Sequence, residues 1–297
     1  MSLVIVGSVG LDTIYTPQGE IHDALGGSAI YGALSGSHFC PVSIVGVVGS
    51  DFPLEGMKLL TDNGIDTSGI AVLKGKTFRW AGRYNNWNKA ETIFTELNVF
   101  ADFSPSMPAS CKCCNSLLLG NIHPSLQLQV LSQITSYAHL ACDTMNYWIN
   151  LCPDELAKVI GSVDIVFMNE DEVKDWTGKN NVFSAARAIL SSGPKWVIVK
   201  RGEYGSVAIS PTYMFFSPAY PVENVVDPTG AGDSYAGAFM AYLANYPELT
   251  PQLIHSAVRY GTILAARNVQ RFSVQGLIGL SQNEIDADKE NLIKWTT

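Results

Sequence analysis

Leu3-Val4-Ile5-Val6 runs straight into Gly7-Ser8-Val9-Gly10, and this opening stretch governs how the rest of the chain is read. Four consecutive apolar residues, three of them β-branched, suit a strand buried on both faces, and the glycines suit a turn at its end. Similar apolar runs recur at Ser43–Val47, Leu117–Leu119, Leu140–Cys142, Ile165–Met168 and Trp196–Val199. Helical spacing appears between them. Ser28–Phe39 gathers Leu34 and small residues on one face, and Leu126–Ala138 repeats Leu126, Val130, Ile134 and Ala138; Asp154–Ile160 and Ser184–Leu190 read alike. Such alternation predicts an α/β protein: three αβα layers around a mostly parallel central sheet.

Two stretches depart from it. Around residues 13–25 and 70–103 the pattern becomes short polar/apolar alternation, as in Thr77–Tyr84 and Glu91–Phe100. These predict antiparallel hairpins forming a small β lid at the edge of the main sheet. No repeat, low-complexity segment or linker interrupts residues 1–297, so one domain carrying a lid is expected.

Composition narrows the functional classes. Charged residues make up 15% of the 297 positions and apolar residues 47%. A chain this rich in core material and this poor in charge is not disordered. Against 27 acidic residues stand 19 basic ones, a net charge of −8, and the longest basic run is Lys200-Arg201, so no nucleic-acid partner is expected. No membrane span is long enough, and the apolar N-terminus lacks a basic flank, so it reads as a strand and the expected location is cytoplasmic. Of six cysteines, Cys111, Cys113 and Cys114 cluster in a way that could suit zinc. No second Cys/His pair follows at finger spacing, so they read as reduced thiols beside a strand.

Two familiar nucleotide motifs fail. Gly75-Lys76-Thr77 ends like a P-loop, but five residues separate Gly69 from Gly75 where the motif has four, and no helix follows. No Gly-x-Gly-x-x-Gly occurs either. The strand-end pairs Gly7/Gly10 and Gly46/Gly49 are compatible with tight packing alone.

Asp227-Pro228-Thr229-Gly230-Ala231-Gly232-Asp233 carries the chemistry. It enters a stretch, Ser234–Tyr246, with helical spacing. Small residues let backbone approach a ligand, and first-turn N–H groups with the helix dipole form an anion site. Asp233 in that first turn could accept a proton from an attacking hydroxyl, or could simply cap the helix.

With this segment the sequence resembles the ribokinase-like (PfkB) family of carbohydrate and nucleoside kinases. Further pieces occur in the family's order: Gly7–Asp12, Gly26-Gly27-Ser28-Ala29, Gly46–Asp51, Asn169–Glu172 and Lys200-Arg201-Gly202-Glu203-Tyr204-Gly205. The resemblance implies the ribokinase-like fold, cytoplasmic location and an ATP- and Mg²⁺-dependent kinase acting on a hydroxyl of a small sugar. A nucleoside kinase for inosine, guanosine or adenosine is the nearest alternative, and a non-catalytic nucleotide- or sugar-binding regulator the next; an NAD-linked oxidoreductase is a further rival.

By the same resemblance Asp233 is the general base, and the amides of Gly230, Ala231 and Gly232 form the anion hole. Asn169 and Glu172 help place Mg²⁺ through water; alternatively Glu172 is a solvated first-turn carboxylate. Lys200, Gly202, Gly205 and Thr229 flank ATP, and Asp227 and Thr229 lie near a K⁺ site. Asp12 and Gly27 contact sugar hydroxyls, unless Asp12 only caps the turn after the first strand. Tyr31 stands where family ribokinases carry Asn, so that sugar contact is altered and the departure argues against ribose itself as acceptor. Asp143 and Asn146, at a strand end, are further substrate candidates. The lid rings Phe78, Trp80, Tyr84, Trp87, Phe94 and Phe100 either pack the sheet and a homodimer seam or stack on a sugar or base. Arg79 and Arg83 share one strand face, either to meet an anion or to face water.

Overall fold

A computed structural model describes residues 2–87 and 89–296. Its strands are β1 (Leu3–Val6), β2 (Gly10–Thr16), β3 (Gly19–Gly26), β4 (Val42–Gly49), β5 (Ile65–Leu73), β6 (Phe78–Asn86), β7 (Lys89–Glu96), β8 (Ser116–Leu119), β9 (His139–Asp143), β10 (Ile165–Asn169), β11 (Trp196–Lys200), β12 (Ser206–Ile209) and β13 (Met214–Ser217). Its α-helices are α1 (Ser28–Gly36), α2 (Leu54–Asp62), α3 (Pro124–Leu131), α4 (Asn146–Leu151), α5 (Pro153–Ile160), α6 (Glu170–Thr177), α7 (Val182–Leu190), α8 (Ala231–Leu243), α9 (Pro251–Asn268) and α10 (Gln282–Thr296).

Nine strands form one sheet in the order β13-β12-β11-β10-β9-β8-β1-β4-β5. Pairing is parallel from β5 through β11, and the β11–β12 and β12–β13 pairings are antiparallel. Side chains of successive residues point to opposite faces of a strand, so each apolar run feeds two cores at once. Leu3, Ile5, Ile165, Phe167 and Ile198 pack on the side of α1, α8 and α9, whereas Val4, Val6, Val166, Met168 and Val199 pack on the side of α3, α5, α6 and α7. The expected αβα sandwich is therefore present, and its parallel strands read as continuous apolar runs because both faces are covered.

Four strands form a second sheet, β3-β2-β6-β7. Hairpins β2–β3 and β6–β7 are antiparallel, as expected, but they join through a parallel pairing of β2 with β6 that periodicity did not disclose. The small sheet also begins later than the alternating pattern suggested. Ile65–Leu73 pairs with β4 at the edge of the large sheet, contributing buried Ile65 and Ile70. An edge strand covered on one face alternates like a hairpin strand, which is why residues 70–73 looked like lid. Similarly, the helical pattern to Ala138 stops at Leu131, and Ser136 then bridges to Cys113. No described helix is long and apolar enough to cross a membrane.

The fold gathers strand ends. Gly7, Gly120, Asp143, Asn169 and Lys200 all stand at or just past the C-terminal ends of parallel strands, where an open α/β sheet collects ligands. Helix α8 begins beside them.

Candidate active site

The turn before α8 is built around Gly230, the residue preceding the helix, which sits in the left-handed region at φ 73°. A Cβ there would fall inside the ring of Tyr31, so glycine is required both by backbone and by contact. Asp227 holds the turn from behind. It is fully buried; Oδ1 accepts the Thr229 N–H at 2.9 Å and Oδ2 the Ser273 N–H at 2.8 Å. Asn268 donates to the Thr229 carbonyl at 2.7 Å, leaving its own Oδ1 buried without a partner. Sequence reading missed Asn268 and Ser273, which carry no local motif and reach the turn only through the packing of α9 and the segment after it.

The Ala231 N–H is drawn back to the Pro228 carbonyl at 3.2 Å. Of the three amides expected to face an anion, that of Ala231 therefore already has a protein acceptor. Asp233 follows in the first turn. Burial beside Asp143 pushes its carboxyl up to about 7, although Lys200 opposes this.

Lys200 and Asp143, 57 residues apart, form the central ion pair at 2.6 Å, with the Asp143 side chain 5% exposed. Asp143 is thus the partner of a lysine, not a residue aimed at an acceptor. Burial alone would lower the Lys200 ammonium, but Asp143, Glu172 and Asp233 outweigh it and hold it charged. A Cβ on Gly232 would meet Lys200 Nζ at 3.0 Å, so the ammonium lies against the glycine turn.

Asn169 and Glu172 form a reciprocal cap. Asn169 Oδ1 accepts the Glu172 N–H at 2.8 Å and Glu172 Oε2 accepts the Asn169 N–H at 2.7 Å, starting α6. Glu172 is 6% exposed, and burial pushes its carboxyl up to about 8 while Lys200 works against the rise. The reading of Glu172 as a solvated carboxylate is thereby corrected. Asn146 donates to Asp175 on α6 at 2.9 Å in an exposed position, which removes it from the strand-end cluster.

On the other side of Gly230, Asp12 on β2 is 3% exposed. Burial and the charges of Asp227 and Asp233 push it up to about 8, against a stabilising bond from the Gly27 N–H. Gly27, at φ 96°, precedes α1, and a Cβ there would strike the Ser8 backbone. Ser8 and Ser28 exchange bonds across this junction, each N–H donating to the other's hydroxyl, at 3.2 and 3.0 Å. Tyr31, 1% exposed, carries a hydroxyl with no partner, amid Asp12, Asp227, Tyr84 and Asp233.

The small sheet reaches into this region. The Tyr84 hydroxyl accepts from Thr229 Oγ1 at 3.2 Å. Asp51, past the end of β4, accepts the Thr77 N–H and hydroxyl, each at 2.7 Å, and pairs with Arg79 at 2.9 Å. Arg79 also bonds Asp23, and Arg83 lies over the Tyr15 ring. Both arginines are occupied within the small sheet.

A cavity of about 670 Å³ opens on the opposite side of the glycine turn, lined in part by Asn169, Lys200, Gly202, Gly205 and Gly232. Its far wall is largely apolar, with Val222, Val225, Ala265, Ala266 and Val269. Trp87 lines it too. That a hairpin residue reaches this cavity could have been suspected from Asn85-Asn86-Trp87-Asn88, one large ring in a turn-forming run.

This arrangement places a carboxylate and an anion-binding turn between a polar nook and a cavity with a phosphate-like end and an apolar end. The chain is similar to proteins of known activity or structure. A cytidine kinase of Thermococcus kodakarensis is 31% identical over 250 residues, covering 81% of this chain and 88% of that protein. A candidate ribokinase II of E. coli, in complex with ATP and Mg²⁺, superposes with a TM-score of 0.78 at 22% identity, covering 98% of this chain and 99% of that one. A nucleoside kinase of Burkholderia thailandensis in complex with inosine superposes at 0.79 with 18% identity, covering 98% and 99%. The pfkB family carbohydrate kinase model matches residues 4–278, and the chain belongs to that family of kinases.

Proposed function

We propose that the protein is an ATP-dependent nucleoside kinase that phosphorylates a sugar hydroxyl of its acceptor. The observation that carries this reading is the 31% identity to a cytidine kinase across 88% of that protein's length. The site favours a neutral acceptor, since Asp12 can accept hydroxyl hydrogen bonds while Arg79 and Arg83 are held by Asp23, Asp51 and Tyr15.

In this reading the acceptor lies between Asp12, Gly27 and Tyr31 on one side and Asp233 on the other. Asp233 takes the hydroxyl proton as the oxygen forms its bond to the γ-phosphorus; the bond to the bridging oxygen breaks and ADP leaves. A carboxyl poised at about 7 is suited to accept a proton near neutral pH. The Gly230 and Gly232 amides and the Lys200 ammonium stabilise charge on the transferring group. The cavity beyond Gly232 takes ATP, with Gly202 and Gly205 admitting close backbone approach.

Among the described residues, no group of three or more His, Cys, Asp or Glu could hold a metal ion unaided. That suits Mg²⁺ carried chiefly by the triphosphate and water, with the Glu172 oxygen left over from its cap as an outer partner. When bound, Mg²⁺ would neutralise charge between the β- and γ-phosphates. For K⁺, Asp227 and the Thr229 carbonyl already accept protein N–H groups, and the unpartnered Asn268 Oδ1 is the oxygen that fits a cation. Turnover in KCl compared with choline chloride tests this. Homodimer formation through the small sheet is supported by Ile93, Phe94 and Leu97, exposed along and just after β7, and is tested by light scattering at two concentrations.

An ADP-release screen over cytidine, uridine, inosine, guanosine, adenosine, ribose and hexoses tests the main proposal. At least one nucleoside should exceed every free sugar by about tenfold or more in kcat/KM. Faster turnover of a free sugar would return the assignment to a sugar kinase. ATP binding with no turnover on any acceptor would support a regulatory homologue.

A further inference from the structure

We propose that Trp87, in the turn between β6 and β7, binds the donor nucleotide, so that one hairpin touches both substrates. This rests on the cavity being the ATP site, as proposed above. Tyr84, near the turn end of β6, meets Thr229 in the glycine turn at 3.2 Å. Three residues further on, Trp87 forms part of the wall of the cavity that holds Lys200, Gly202, Gly205 and Gly232. Strand β6 advances about 3.3 Å per residue, so the backbones of Tyr84 and Trp87 lie at most roughly 10 Å apart.

The residue type fits the task. Asn85 and Asn86 before Trp87 provide turn chemistry that needs no ring for folding. An indole facing an aliphatic wall of Val222, Val225, Ala265, Ala266 and Val269 presents a flat apolar surface across a slot, which suits a purine base or the ribose face of a nucleoside triphosphate. Of the other lid rings, Phe78 packs on Phe100, Trp80 bonds Thr92 and Tyr84 meets Thr229, while Phe94 is exposed on β7. The consequence is coupling. A nucleotide that engages Trp87 stabilises the hairpin position in which Tyr84 meets the anion-binding turn, so donor binding favours a site closed around the acceptor.

The test compares wild type, Trp87→Ala and Trp87→Phe. ATP affinity is measured by calorimetry in the absence of acceptor, followed by KM for ATP and for the preferred acceptor. Trp87→Ala should weaken ATP binding about 5- to 150-fold, the span of one aromatic–base contact. Trp87→Phe should recover most of that loss, and the tryptophan fluorescence change on ATP addition should diminish in both variants. A purely structural role predicts a lower melting temperature with unchanged ATP affinity per folded molecule. ATP affinity within twofold of wild type in Trp87→Ala would overturn the inference, as would a rise confined to acceptor KM. If wild type itself binds no ATP, the proposed function fails and this inference with it, a result distinct from failure of Trp87 alone.

Discussion

Gly230→Ala is the most exacting probe of the active-site turn. An L-residue held at φ 73° costs about 1–2 kcal/mol. The added Cβ also enters the ring of Tyr31, a residue 1% exposed with no room to retreat. Forced overpacking of this kind costs typically about 1–3 kcal/mol. Together these give about 2–5 kcal/mol, a large share of the roughly 5–15 kcal/mol that holds a domain together. Catalysis should suffer separately, because the Gly230 and Gly232 amides move with the turn; displacing one such donor costs about 10²-fold or more in kcat. Urea unfolding gives the stability change, and ADP release at saturating ATP gives the rate. Tyr31→Ala removes the ring but leaves the backbone strain, so the double variant should be less destabilised than the sum of the singles by about 1–3 kcal/mol. A Gly230→Ala protein within about 0.5 kcal/mol of wild type, with unchanged kcat, would refute the turn geometry. Strict additivity with Tyr31→Ala would show that the cost is backbone strain alone.

Asp233→Asn should lower kcat by about 10²–10⁴-fold while ATP affinity, read by calorimetry, stays near wild type; near-normal turnover would remove Asp233 as base. In wild type, kcat/KM should rise with pH through about 7, because the carboxylate is the competent form and burial beside Asp143 raises its pKa. Lys200→Met leaves Asp143 buried without its counter-charge and should destabilise by about 3–5 kcal/mol. It should also move the rising limb of that pH profile upward, since Lys200 now lowers the Asp233 pKa; a downward move would contradict the ion-pair assignment. Stability of the ligand-free protein should fall as pH climbs from about 4 to about 8. Asp12 and Glu172 are raised to about 8 in the folded state from ordinary values of 3.8 and 4.5, so the folded state binds protons that the unfolded chain releases. Urea midpoints at pH 5.5 and 8 check the sign.

Two groups of ionisable side chains lie close to the glycine turn. Lys200, which lines the cavity, carries Asp143 as its ion-pair partner and Glu172 as a near charge, whereas Asp12 on β2 and Tyr31 on α1 form a second group. Asp233 acts electrostatically on both groups.

Sequence alone determined the local rules. Apolar runs such as Leu3–Val6 and Ile165–Met168 announced doubly covered parallel strands, because no half-exposed strand tolerates that pattern. Thr229–Asp233 announced a turn into a helix with a carboxylate in its first turn, because spacing within seven residues suffices to specify it. Tertiary structure decided everything that depends on distant neighbours. Ile65–Leu73 belongs to the large sheet, and not to the lid, because β4 lies beside it. Asp143 serves Lys200 across 57 residues, Asn146 serves Asp175, and Arg79 serves Asp51 and Asp23. Trp87 belongs to the cavity beyond the glycine turn because hairpin β6–β7 is long enough to cross it. Charge pairing and cavity walls arise from segments brought together by packing, and no periodicity within one segment encodes its neighbour.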